Sequence, residues 1–323
     1  MHDGTPREEA GSGRRLPGSP AAIVRPGYAA VARAALTRVQ SPPIIPRVTY
    51  LPAQSYDITL LLLRIMCGFI IWQQGAQKLF GLLGGAAAAA FTPMWFAGGA
   101  EFLGGLALAA GALTRPFAAV LAVDMAIRYV VLYLPDGLPP IVNRQGEITC
   151  LLFGITLLLA FSGPGQFSAD GANPGSGWRA LLARLRPHTP SALGVSRILI
   201  GLLFLSYGLR KMFGFWGEPE EFLSLQWYAG IIELGGGVLL TIGLFTRPVA
   251  FLCSGEMAFA YFINHNPRGF FPVQNGGERA ALFCFFFLFL VAAGAGRWSI
   301  DYLATRKSQG ARHKAHDDAV LAR

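Results

Sequence analysis

The chain has 323 residues, 53% hydrophobic and 14% charged, and carries a net charge of +9. Soluble domains average about 25% charged residues, so the composition excludes an ordinary soluble protein and points to the membrane. Most of the positive charge lies outside the apolar stretches, which excludes a nucleic-acid-binding role in favour of basic loops that orient the chain in a bilayer.

Residues 1–55 hold seven Arg against three acids and are rich in Pro, Gly and Ala. They are expected to be a disordered basic segment, because they have no long apolar run to bury. No cleavable signal peptide is visible. The Arg- and Ala-rich stretch 25–39 also reads as transit-like, or as an over-extended start.

A membrane span needs roughly 20 mostly apolar residues. Eight stretches are read as spans: 58–80, 93–113, 115–134, 146–163, 192–214, 225–246, 247–264 and 277–295. The predicted fold is an all-α integral membrane protein of two tandem four-helix bundles. They occupy residues 56–170 and 192–301, joined by a cytoplasmic linker 171–191 and followed by a basic tail 302–323.

The two halves repeat one another. Arg64, Gly68, Gly75, Lys78 and Phe80-Gly81 recur as Arg197, Gly201, Gly208, Lys211 and Phe213-Gly214. Glu101 pairs with Glu233, Gly104-Gly105 with Gly236-Gly237, and Leu113-Thr-Arg-Pro116 with Phe245-Thr-Arg-Pro248. Asp124 matches Glu256, Asn143 and Glu147 match Asn275 and Glu278, and Ser168 and Asp170 match Ser299 and Asp301. So long a period is a domain duplication, not a solenoid. Four helices per copy place both copies in the same orientation.

Arg179, Arg184 and Arg186 in the linker, with Arg306, Lys307, Arg312 and Lys314 in the tail, fall on the same side as the N-terminal segment. The opposite loops are poorer in basic charge: 82–92 has none, and 218–221 contains Glu218, Glu220 and Glu221. The positive-inside rule therefore predicts cytoplasmic termini, in a bacterial-type inner (plasma) membrane.

Cys67, Cys150, Cys253 and Cys284 form no C-x-x-C and have no matching repeat partners. They read as buried thiols acting as small hydrophobes. Of the five histidines only His265 lies near a span, too few for a bis-histidine haem or a copper centre. No metal site and no covalently bound cofactor are expected.

Arg64, Gly68, Gly75 and Lys78 fall on one face of a helix, as do Arg197, Gly201, Gly208 and Lys211. These bases either snorkel to the headgroups or serve a site. Carboxylates cannot snorkel far, so Glu101, Glu233, Asp124 and Glu256 must face a polar interior, pair with a base or hold a proton. Asp124 and Arg128 are spaced to pair within one helix turn. In the second copy Ala260 replaces that Arg, so Glu256 must find Lys211, Arg210 or a proton. A structural ion-pair lattice and a substrate or proton site remain the two readings. Under the second, Glu101, Glu233, Glu256 and Asp124 are the catalytic candidates. Lys78, Lys211, Arg64, Arg197, Glu147, Glu278 and Asn275 are the ligand-binding ones.

The Arg…Gly…Gly-x-x-Lys-x-Phe-Gly helix, the Glu-x-x-Gly-Gly helix, the Thr-Arg-Pro turn, the element Asn275-Gly-Gly-Glu278 and the closing Gly-x-x-Ser-x-Asp resemble the DoxX family. The first copy departs at one element, reading Asn143-Arg-Gln-Gly-Glu147. The resemblance implies two fused four-helix membrane units. Through a related small subunit of a thiosulfate:quinone oxidoreductase, it also implies a place in a membrane oxidoreductase complex. The first functional expectation is thus a quinone-linked oxidoreductase subunit without its own redox cofactor. Quinone would be its substrate, held by Lys78, Glu101, Glu147 and their copies, with Trp72, Trp95 and Trp227 as walls or interfacial anchors. Its partners would be the lipid bilayer and a soluble or membrane oxidoreductase, with no nucleic acid. The alternatives are a small-solute or proton transporter, and a non-catalytic membrane scaffold or assembly factor.

Overall fold

The computed structural model describes residues 53–172 and 184–307. Nearly all of the basic N-terminal segment, the middle of the linker and most of the tail lie outside the described residues. The described part is all-helical. Eight long helices are α1 (Ala53–Phe80), α2 (Pro93–Ala110), α3 (Thr114–Arg128), α4 (Arg144–Ser162), α5 (Thr189–Phe213), α6 (Leu225–Ile242), α7 (Thr246–Ala260) and α8 (Glu278–Ala293). Helices α3 and α7 each run on into a π-helical turn, Tyr129–Tyr133 and Tyr261–His265.

Among the described residues, five segments are long and apolar enough to cross a membrane: Gln54–Phe80, Thr114–Asp136, Arg144–Ser162, Arg186–Phe213 and Leu225–Ile242. The other three expected spans fall short for visible reasons. Helix α8 has only 16 residues, about 24 Å of rise. Glycines and Glu101 dilute α2, and Arg247, Glu256, Asn264 and His265 dilute the α7 segment.

Within each copy the first two helices pair, α1 with α2 and α5 with α6, and so do the last two, α3 with α4 and α7 with α8. The hairpins then cross over. Helix α1 packs on α8, and α4 packs on α5. The two copies therefore do not stand as separate bundles, as the sequence suggested. The first helix of each copy lies against the fourth helix of the other, and α1, α4, α5 and α8 share one core. Leu63, Ile70, Leu151, Ile155, Phe204, Phe283, Phe286 and Phe287 fill it, with Phe204 and Phe287 rings 4.8 Å apart. A run of large apolar side chains all round α8 fits a helix buried on every face.

Close approach within each first hairpin is what the repeated glycines supply. A Cβ on Gly75 would lie 2.3 Å from the Phe102 backbone nitrogen, and one on Gly208 would lie 2.3 Å from that of Leu234. Small residues let backbones approach in this way. The approach brings Lys78 and Lys211 alongside the acids of α2 and α6.

The connectors are held by repeated devices. Leu113 and Phe245 begin α3 and α7 with left-handed φ of 48°. That strained geometry is secured by carboxylates. Asp170 accepts from the backbone N–H groups of Leu113 and Thr114, both at 3.0 Å. Asp301 accepts from those of Phe245 and Thr246, at 3.0 and 2.8 Å. Arg247 donates to the carbonyls of Val291 and Ala292 that end α8, and Arg115 to those of Phe161 and Ser162 that end α4. These bases cap helix C-termini, where the dipole favours them.

Candidate functional site: two unequal charge clusters

The first cluster lies between α1, α2 and α3. Lys78 donates to both oxygens of Glu101, with Oε1 at 2.6 Å. Arg128 bridges Glu101 Oε1 and Asp124 Oδ2, the latter at 2.8 Å. Glu101 is fully buried. Two cations face two carboxylates, so the charges balance and both oxygens of Glu101 are paired, with Arg128 Nε left unpartnered. Desolvated charges persist only when so paired and hydrogen-bonded.

The second cluster lies at the matching place between α5, α6 and α7, and it is open. Lys211 donates to Glu233 Oε1 at 2.7 Å. Glu233 Oε2 is buried without a partner, and so is Glu256 Oε2. The charges that act on Glu256 are Glu233 and Lys211. No Arg stands at position 260 to bridge the two acids. Two carboxylates thus stand near one ammonium, which is bonded to Glu233. Glu256 is half-buried, and Leu252 and Phe259, one turn to either side of it, are exposed. The acid sits where the interior meets the apolar outer face of α7.

The other sequence-predicted residues separate into two groups. Arg64 and Arg197 are 1% and 0% exposed, and they stand apart from the acids. Arg64 donates to the carbonyls of Pro164 and, at 2.7 Å, Phe167. Arg197 donates to those of Ala295 (2.8 Å), Thr241 (2.7 Å), Leu240 and Trp298 (2.9 Å). Each therefore ties the first helix of its copy to the loop after the fourth. Asn275 is likewise committed. Its amide donates to Tyr261 Oη and the Gly269 carbonyl, and its oxygen accepts from Gly277 N at 2.8 Å.

Glu147 and Glu278 sit at the seam between the copies. Glu147 accepts from Tyr207 of α5 and, at 3.0 Å, from Arg279 of α8. Arg279 also donates to Tyr207 Oη at 2.8 Å and lies over its ring. Glu278 accepts from Gln74 of α1 at 3.0 Å. Gln74 and Tyr207 are equivalent positions in the repeat, so one contact is made twice, reciprocally, across the seam. Sequence reasoning missed Gln74, Tyr207 and Arg279. The available signal was that positions 74 and 207 lie one turn before Lys78 and Lys211 on the same face. Trp72 packs against Phe69 and Phe102, Trp95 against Phe91 and Phe96, and Trp227 against Phe222 and Tyr228. Cys67, Cys150 and Cys253 are buried free thiols.

Comparison with known proteins agrees with this duplicated design. The DoxX family profile matches twice, at residues 59–134 and 192–266. An uncharacterised protein of Haemophilus influenzae is 38% identical over 125 residues, 36% of this chain and 93% of that protein. The chain belongs to the DoxX family. The inner membrane protein YqjF of Escherichia coli is 27% identical over 128 residues, 35% of this chain and 92% of that protein. An uncharacterised membrane protein of Mycobacterium tuberculosis is 31% identical over 150 residues, 41% of this chain and 90% of that protein. Each of these relatives is thus about one copy long. This chain is a membrane protein, with two DoxX segments where they align over roughly one. No solved structure matches it.

Proposed function

We propose that the chain is an eight-span membrane subunit serving quinone-linked redox chemistry, with its working site in the second copy. The eight-span reading is supported by the repeat. Each helix that is too short or too polar alone has a counterpart that qualifies: α6 for α2, α3 for α7, and α4 for α8. With the basic linker and tail on one side, both termini are cytoplasmic. Reporter fusions at Pro174 and after Arg323 should both read as cytoplasmic. A signal from the opposite face at either would overturn the topology.

The observation that carries the site is the pair of unpartnered buried oxygens on Glu233 and Glu256 beside a single Lys211. A proton balances the second carboxylate at low cost, and such a proton is available for transfer. Quinone reduction takes up two electrons and two protons. On this reading the electrons come from a partner oxidoreductase. Lys211 donates a hydrogen bond to a quinone oxygen, and Glu256 passes on the first proton, while water supplies the second and reprotonates Glu256. The apolar stripe of Leu252 and Phe259 offers the isoprenoid tail a path from the bilayer. The first copy, its charges balanced, acts as a structural clamp.

Purified protein in detergent should be stabilised against heat by a short-tailed ubiquinone analogue. Glu256→Gln should abolish that stabilisation, whereas Asp124→Asn should retain it on a less stable protein. Absence of any quinone effect on the wild type would sink the reading. The same open cluster also suits proton transport, since parallel repeats with acids at mid-depth fit that architecture. Proton flux in liposomes without quinone would favour it.

A further inference from the structure

Where α1 ends and α4 and α8 begin, the seam between the copies opens into a cavity of about 490 Å³. It is separate from the Lys211–Glu233–Glu256 cluster and owes nothing to the quinone reading. Three guanidinium groups line it, from Arg144, Arg268 and Arg279, with one carboxylate, Glu278. Val273 is the one aliphatic side chain in the lining. An acyl or isoprenoid tail would find almost no apolar wall there. The volume falls within the range of small-molecule sites, about 300–1,000 Å³.

The charges of this lining are unevenly spent. Glu278 is engaged by Gln74 at 3.0 Å, and Arg279 by Glu147 at 3.0 Å. Arg144 gives one hydrogen bond, at 3.3 Å, to the Gly276 carbonyl across the seam. Among the described residues no carboxylate forms an ion pair with Arg144 or Arg268. Two guanidinium groups outside any direct ion pair, drawn from different copies onto one polar cavity where cations outnumber the single carboxylate, offer their forks to an anion. Their planar forks match carboxylate and phosphate oxygens.

We propose that this cavity binds a small phosphate- or carboxylate-bearing anion between Arg144 of the first copy and Arg268 of the second. Because the ligand would bridge residues from both repeats, the site belongs to the seam that joins the two copies. Arg144 also stands in the segment by which Asn143-Arg-Gln-Gly-Glu147 departs from Asn275-Gly-Gly-Glu278. On this proposal the departure supplies a ligand-binding residue.

Inorganic phosphate is the first probe. Titrated into the protein in a zwitterionic detergent, it should raise the thermal midpoint in a saturable way, with sodium chloride at equal ionic strength as the control. Arg144→Gln combined with Arg268→Gln should weaken the apparent affinity by at least about tenfold. Both side chains are exposed, so the variant should keep the wild-type midpoint without phosphate. Arg268→Lys with Arg144 intact should retain part of the response. A lipid headgroup presents the same chemistry. Nanodiscs of phosphatidylglycerol, compared with phosphatidylcholine, would then stabilise the wild type but not the double variant, and the site would stand with a lipid as its source. A double variant that responds to both probes like the wild type, or a wild type that responds to neither, would overturn the proposal.

Discussion

Glu101→Ala should destabilise the protein far more than Glu233→Ala, although the two residues are equivalent and equally buried. Removing Glu101 strips Lys78 of its partner and Arg128 of one of two. Asp124 alone then faces two cations, and one positive charge is left uncompensated beside a 0%-exposed position. Breaking a buried pair in this way costs about 3–5 kcal/mol. Removing Glu233 takes away the same charge, but this cluster can rebalance. Glu256 gives up its proton and faces Lys211, one anion with one cation. Glu256 has an unpartnered oxygen to offer, so the cost should fall to about 1 kcal/mol, the ordinary size for a point substitution. Thermal or denaturant unfolding in detergent micelles, on the two single variants, measures the difference. Equal losses would mean that charge balance does not govern the two clusters.

That asymmetry was partly legible in the sequence, and the reason is physical. An Asp and an Arg four residues apart on one helix meet by local geometry alone, so Asp124–Arg128 and the missing base at Ala260 could be read directly. The pairing of Lys78 with Glu101 needed only the glycines of α1 and α2, which mark a close helix crossing. Arg64 and Arg197 carried no such signal. Their partners are backbone carbonyls after the fourth helix, about a hundred residues away, and a carbonyl has no sequence signature. Their depth and their place on the glycine face suggested a ligand role, whereas the geometry gives them a loop to hold.

The crossing of the copies was hidden for a related reason. A duplication reads as two equal modules, and nothing in hydropathy says whether a fourth helix prefers its own first helix or its neighbour's. The aromatic run of α8 was the trace: a helix apolar all round must be covered on all sides. The cover comes from α1 and α7 and, through Phe204, from α5. The reciprocal contacts of Gln74 with Glu278 and Tyr207 with Glu147 follow from that exchange. So does the polar cavity at the seam, whose lining comes from three segments, around 74–77, 144–145 and 265–279, that meet only when the copies cross.

Restoring the missing base should close the second cluster. Ala260→Arg places a guanidinium four residues after Glu256, as Arg128 stands after Asp124. The new Arg can bridge Glu256 and Glu233 as Arg128 bridges Asp124 and Glu101. The cluster would then hold two cations and two carboxylates, and neither acid would need a proton. Infrared difference spectroscopy reads this directly, because a protonated carboxylic acid has a C=O stretch distinct from that of a carboxylate. The wild type should show the protonated band and lose it as pH is raised. Glu256→Gln should lack it, and so should Ala260→Arg, with helix content unchanged in both. Quinone-dependent stabilisation should vanish in both variants as well, although Ala260→Arg keeps every original side chain of the cluster. A band that survives Glu256→Gln but disappears in Glu233→Gln would move the proton to Glu233, the acid already held by Lys211 at 2.7 Å. A band that persists in Ala260→Arg would show that the charge deficit is not what holds the proton. The division into a structural first copy and a working second copy would then fail with it.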